Sequence, residues 1–123
     1  MHYGFKVVEV LADGTLRSAV SRSMLRVQAY TVECIVSYLL GQWVYPNPGN
    51  GPMCVFEKEE DAHYFVEVES TYKGGSITLS IFECEYELSK SNRVWTSISE
   101  AELGWLPFLT RLAESIKLTK KIK

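Results

Sequence analysis

Between Gly74-Gly75 and Ser89 runs the longest apolar-rich stretch of the chain, Ile77-Thr78-Leu79-Ser80-Ile81-Phe82-Glu83-Cys84-Glu85-Tyr86-Glu87-Leu88. Its apolar residues fall at odd positions as far as Ile81 and at even positions from Phe82 onward. Side chains of a strand alternate between faces, so this change of phase sends the two apolar sets to opposite faces of a regular strand. Two arrangements accommodate it. Either a β-bulge near Ile81-Phe82 turns both sets toward one core, or the middle of the strand is covered on both faces. Both place the stretch inside a sheet, away from an edge, so the remaining sequence must supply neighbours on each side.

Immediately upstream, the short apolar run Met53-Cys54-Val55-Phe56 leads into Glu57-Lys58-Glu59-Glu60-Asp61, and then into Ala62, Phe65 and Val66 at helical spacing. Acidic residues suit the first turn of a helix, whose exposed N–H groups carry partial positive charge, so the pattern predicts a helix from Lys58 to Val68. No Ser, Thr, Asn or Asp stands just ahead of it as a cap. Tyr64 to Glu69 also alternates with period two, so a hairpin pairing 64–72 with 77–87 across Lys73-Gly74-Gly75-Ser76 is the rival.

At the other end, Phe5 to Val10, the turn Asp13-Gly14 and Thr15 to Val20 read as a β-hairpin. Tyr30 to Leu40 fits either a strand, with Tyr30, Val32, Cys34, Val36 and Tyr38 on one face, or a helix gathering Val32, Ile35, Val36, Leu39 and Leu40. Its content of Val, Ile, Tyr and Thr favours a strand that bends at Gly41 and continues through Trp43-Val44-Tyr45. Pro46-Asn47-Pro48-Gly49-Asn50-Gly51-Pro52 is a loop, because its prolines and glycines interrupt both ladders and helices. Ser89 to Asn92 is a turn, and Arg93 to Ile98 a short strand. Ser99-x-x-Glu102 has the form of a capping box, predicting a short helical turn that Pro107 would interrupt. Beyond Thr110, Leu112, Ala113 and Ile116 fit a helix, whereas Ile116 and Leu118 fit a closing strand. The basic tail, residues 117–123 with Lys117, Lys120, Lys121 and Lys123, is expected to fray.

A chain of 123 residues can remove roughly two-thirds of its unfolded surface from water without a disulfide or a metal, so one domain over residues 1–123 is expected. The net charge of −2 argues against general nucleic-acid binding, which calls for a strong positive excess. Cys34, Cys54 and Cys84 form no C-x-x-C pair and have no suitably placed histidines for zinc. Their odd, sparse count fits a reducing compartment. Met1 to Lys6 lacks the apolar core of a signal peptide, and no run approaches the roughly 18 residues of a membrane span. A cytoplasmic protein without cofactor or metal is the expectation. The fold class expected is α+β, a small antiparallel sheet of about five strands with one main helix packed on it.

Four groups of residues, Val7-Val8-Glu9-Val10 with Asp13-Gly14 and Ser18-Ala19, Gly41-Gln42-Trp43-Val44 with Pro46, Gly51 to Phe56 with Asp61-Ala62 and Phe65, and Glu83-Cys84-Glu85-Tyr86, together resemble a pattern in small uncharacterised α+β proteins of viruses and prokaryotes. The resemblance implies a shared small fold and no activity, and Ser21 to Ile35 has no counterpart in it.

Three constellations are candidates for function. Trp43, Tyr45, Asn47 and Asn50 flank a Pro/Gly loop, and large aromatics beside amides suit a recognition surface because they bring contact area at low entropic cost. The ordinary alternative is Trp43 in the core and a loop that merely connects. Glu83, Glu85 and Glu87 set three carboxylates about 7 Å apart along one face, a row able to meet a cation or a basic partner. Glu-x-Glu on a strand also resembles ADP-ribosyltransferases, although the Arg and Ser-Thr-Ser elements of that family are not matched: Arg17 follows the first turn and Ser70-Thr71 lacks its partner serine. The ordinary alternative is the solvated face of a sheet. Cys54 with His63 could form a thiol nucleophile and base, against the commoner case of a buried, inert cysteine. No Gly-rich phosphate loop and no HExxH occur. These readings favour a non-enzymatic binding or interaction module of viral or mobile-element origin. Its expected partner is another protein rather than nucleic acid or a membrane, with a homo-oligomer left open. A small enzyme, either a nucleotide-using transferase or a thiol hydrolase, is the alternative.

Overall fold

A computed structural model describes residues 2–19, 36–47, 51–73, 78–91, 93–95, 100–102 and 110–123. Its elements are β1 (His2–Val10), β2 (Leu16–Ser18), β3 (Ser37–Tyr38), β4 (Trp43–Val44), β5 (Met53–Phe56), α1 (Glu59–Lys73), β6 (Thr78–Leu88), β7 (Arg93–Trp95), β8 (Glu100–Glu102) and β9 (Thr110–Lys121).

The central strand is β6. Along one edge it pairs with β1 in an unbroken antiparallel register from Val10↔Thr78 to His2↔Tyr86. Along the other it pairs with β9 from Phe82↔Lys121 to Leu88↔Ala113. Its phase change is resolved by cover on both faces and not by a bulge at Ile81-Phe82. Ile81 and Leu79 pack beneath the helix with Val7, Phe56 and Ala62. Phe82, Cys84 and Tyr86 point the other way, into a core with Val8, Tyr38, Val55, Ile116 and Leu118.

That core is the inside of a barrel. The sheet has seven strands, and β5 bridges β1 and β9 to close it, while β2 and β3 extend from β1 and β4 lies along β9. The fold is therefore α+β with an antiparallel sheet, as expected. The expected sheet of about five strands is corrected to seven, closed into a barrel through the ring β1–β6–β9–β5, and the single strand expected to bend at Gly41 is two, β3 paired with β2 and β4 paired with β9. Closure removes the edges of the ring itself, while the short strands β3 and β4 stand at the ends of the strand order.

The seam of the barrel is narrow, since β1 and β5 share one ladder position, Phe5↔Phe56. Two neighbours of Phe5 compensate. Lys6, only 6% exposed inside the barrel, donates from Nζ to the Cys54 carbonyl at 2.7 Å and lies 5.7 Å from the Tyr38 ring centroid. A Cβ on Gly4 would stand 2.6 Å from the Phe56 carbonyl oxygen, so only glycine lets the two backbones approach this closely.

The helix begins with Glu59, Glu60 and Asp61 in its first turn and packs through Ala62, Phe65 and Val66. Phe56 and Phe65 face each other with ring centroids 5.5 Å apart. It continues past Val68 to Lys73, and residues 64–72 are helical, which corrects both the shorter helix and the rival hairpin. The N-terminal hairpin forms as expected. Gly14 at φ 87° permits the turn, and the Thr15 amide donates to Asp13 Oδ1 at 2.9 Å. Val36 and Tyr38 are both buried in the barrel core, the alternation of a strand, and Gly41 at φ 82° turns the chain toward β4. Residues 30–35 lie outside the described residues.

Near the C-terminus two expectations are corrected and one open alternative resolves to the strand. Glu100–Glu102 pairs with Arg93–Trp95 as a two-stranded ladder, so Ser99-x-x-Glu102 does not open a helical turn. Ser99 and Pro107 themselves lie outside the described residues. The segment from Thr110 is a twelve-residue strand. The basic tail does not fray: Lys117, Lys120 and Lys121 are paired with β6, and the amides of Ile122 and Lys123 bond to the Ile81 carbonyl.

Candidate functional site

The register places four residues in one row across the outer surface of the barrel. Tyr3 of β1 is paired with Glu85 of β6, Glu85 with Lys117 of β9, and Lys117 with Trp43 of β4. All four lie on the outer face. Lys6 and Val8 of β1 and Cys84 and Tyr86 of β6 point into the barrel, so Tyr3 and Glu85, of opposite parity, point out. Val44 packs on the barrel core, which turns its neighbour Trp43 outward. At about 4.8 Å per strand the row spans roughly 14 Å.

The side chains within it are in contact. Lys117 Nζ is 2.8 Å from Glu85 Oε2 and 5.3 Å from the centroid of the Trp43 ring. One ammonium therefore joins a carboxylate on one side to an indole on the other. At one end of the row Tyr3 is 69% exposed; at the other Trp43 is half-buried, and Tyr45, two residues beyond it, is 60% exposed. Trp43 is not among the residues of either core cluster. Asn47 is half-buried, and Asn50 lies outside the described residues.

The acidic row projects outward along β6, and its members are engaged by β9. Besides the Glu85 pair, Glu87 accepts a hydrogen bond of 2.5 Å from the buried Ser115 hydroxyl, and Glu83 is paired in register with Lys120. The row and the basic tail, separate features of the sequence, are two columns of one face. Cross-strand opposite charges of this kind stabilise a sheet by roughly 0.2–1 kcal/mol each. Glu85 and Trp43, members of two rival candidate sites, are joined by Lys117. Sequence reasoning missed Lys117, which it assigned to the tail, and Tyr3, which it passed over. Only strand pairing distinguishes them.

Cys54 is half-buried on β5, and His63 stands on α1. His63 Nε2 lies 2.9 Å from Glu59 Oε2, one turn back along the helix. Cys84 sits in the barrel interior, where burial pushes its thiol up to about 12, the reverse of an activated nucleophile. Among the described residues no group of three His, Cys, Asp or Glu could hold a metal ion, and no helix is long and apolar enough to cross a membrane.

Comparison of the chain with models of protein families, with curated proteins and with solved structures finds no match.

Proposed function

We propose that the protein is a non-enzymatic interaction module whose contact surface is the outer row Tyr3–Glu85–Lys117–Trp43, extended by Tyr45. One observation carries the reading. Two aromatic residues stand largely in solvent, at 69% and 60% exposure, at either side of an ion pair braced by an indole. Aromatic anchors beside a fixed charge pair are the composition of a protein recognition surface. The partner class that fits is another protein, because the row offers apolar area and charges of both signs instead of the positive field a polyanion requires.

The transferase alternative would need the acidic row available to a ligand, and Glu85 and Glu87 already bind Lys117 and Ser115. For the thiol alternative, the ring nitrogen Nε2 of His63 is already engaged by Glu59.

Capture of a partner by the tagged protein from lysate, read by mass spectrometry, tests the module. Replacing Trp43 and Tyr45 together by alanine in a protein that still folds removes the captured species. Retention of the same species by that variant would place the contact elsewhere.

A further inference from the structure

The row is complementary to its own reversal: aromatic, anion, cation, aromatic. From this we infer that the surface recognises a second copy of the chain, a deepening that rests on the interaction reading above. Take a two-fold axis parallel to the strands, lying over the boundary between β6 and β9. It carries Glu85 of one copy onto Lys117 of the other, and Tyr3 of one copy onto Trp43 of the other. A two-fold interface must be complementary to itself, and few surfaces meet that condition in both charge and apolar character. The columns agree with the row. Glu83, Glu85 and Glu87 run along β6, Lys117 and Lys120 run along β9 opposite Glu85 and Glu83, and the axis sets each acidic column against the basic column of the other copy.

The ion pair already present within the chain does not prevent this. A carboxylate has two oxygens and an ammonium three protons. Glu85 and Lys117 of two copies thus close a square of alternating charges in which every edge is attractive. Both side chains remain partly exposed, at 28% for Lys117 and 20% for Glu85, and networks of this kind are worth more than the isolated pair from which they are built. The face is convex, as the outside of a barrel must be. Contact is therefore confined to the β6–β9 seam and to the aromatic side chains reaching from either side, and an interface of that size associates weakly, with a Kd on the order of 100 μM or above.

Sedimentation velocity over a concentration series reaching about 1 mM tests the inference in the range where so small an interface would form. The wild type shifts toward a dimer with rising concentration. Glu85→Lys and Lys117→Glu each set like charges against one another across the axis, so each alone sediments as a monomer throughout. Mixed in equal amounts the two variants associate, since every lysine of one then meets a glutamate of the other. Tyr3→Ala, which leaves the ion pair untouched, raises the Kd by about fivefold or more and keeps the test decisive should a charge variant fail to fold. A monomeric wild type at the highest concentration would overturn the inference, and so would folded charge variants that remain monomeric when mixed. A monomeric wild type that still captures a different protein in a Trp43-dependent way would leave the interaction module standing without its self-recognition. Loss of neither property on removal of Trp43 and Tyr45 would overturn this surface as the contact and place it elsewhere.

Discussion

Gly4 shows most plainly how much a single residue decides in this chain. With a Cβ built at position 4, the Phe56 carbonyl would be 2.6 Å away and the Tyr86 ring 3.0 Å away. The first of these atoms is backbone and cannot swing aside. Gly4→Ala therefore forces β1 and β5 apart at the one position where they pair, and should lower stability by about 1–3 kcal/mol in denaturant unfolding. Cys84 gives a second expectation at this scale. Burial raises its thiol from an ordinary 9.0 to about 12, so the folded protein holds this proton where the unfolded chain releases it. The stability this contributes is fully present below pH 9 and declines as the pH rises from about 9 toward about 12, by at most about 1.4 kcal/mol per pH unit. A urea series across that range measures the slope. Cys84→Ser removes this group's share of it. Asp13 works in the opposite sense. Hydrogen bonds from Thr15 hold its carboxyl below 3.8, so they support the first turn above that pH and are lost as the pH falls through the lowered value. The Thr15 amide resonance should titrate with it. The candidate residues themselves were unevenly legible. Trp43 and Tyr45 announce themselves as aromatics beside a Pro/Gly loop. Lys117 is one lysine among four near the C-terminus, and only its partners across two ladders single it out.

Among the elements, β6 and β9 were read with opposite success, for the same physical reason. In β6 the alternation is exposed in the sequence, and its phase change signalled a strand inside the sheet. The structure decides between the two arrangements by setting Ile81 under the helix and Phe82 in the barrel. Both should be costly to truncate, about 2–5 kcal/mol each for Ile81→Ala and Phe82→Ala. Were only one face of β6 buried, one of this adjacent pair would be close to neutral. In β9 the β6 register skips Glu114 and Thr119, so two bulges interrupt the alternation. Ala113 and Ile116 then share the barrel interior at a spacing of three, which imitates a helix and left the segment undecided by pattern alone. The helix α1 was legible in its start and its buried face, because acids at a helix N-terminus and apolar residues at i, i+3 and i+4 are local signals. Its extension to Lys73 was not, since Tyr64 to Glu69 also satisfies a strand pattern and only tertiary packing chooses.

For the whole molecule, what a sequence of this kind withholds is pairing. Alternation names the faces of each strand but not its neighbours, and the closed barrel follows from neighbours: β5 reaching both β1 and β9, and the C-terminal strand returning to lie between β6 and β4. The outer row exists only once those pairings are made, because it draws one residue from each of four strands that lie far apart in the chain. The account stands or falls on the outer face of β6 and β9 being the surface by which the molecule makes contact. Two-dimensional NMR of the wild-type protein, followed on dilution from about 1 mM, measures this residue by residue in the concentration range of weak interfaces. Shifts are expected in the Trp43 indole and in the amides of Tyr3, Glu85 and Lys117, with those of α1 unmoved. Shifts centred on α1, or a Trp43 indole that does not respond, would contradict it.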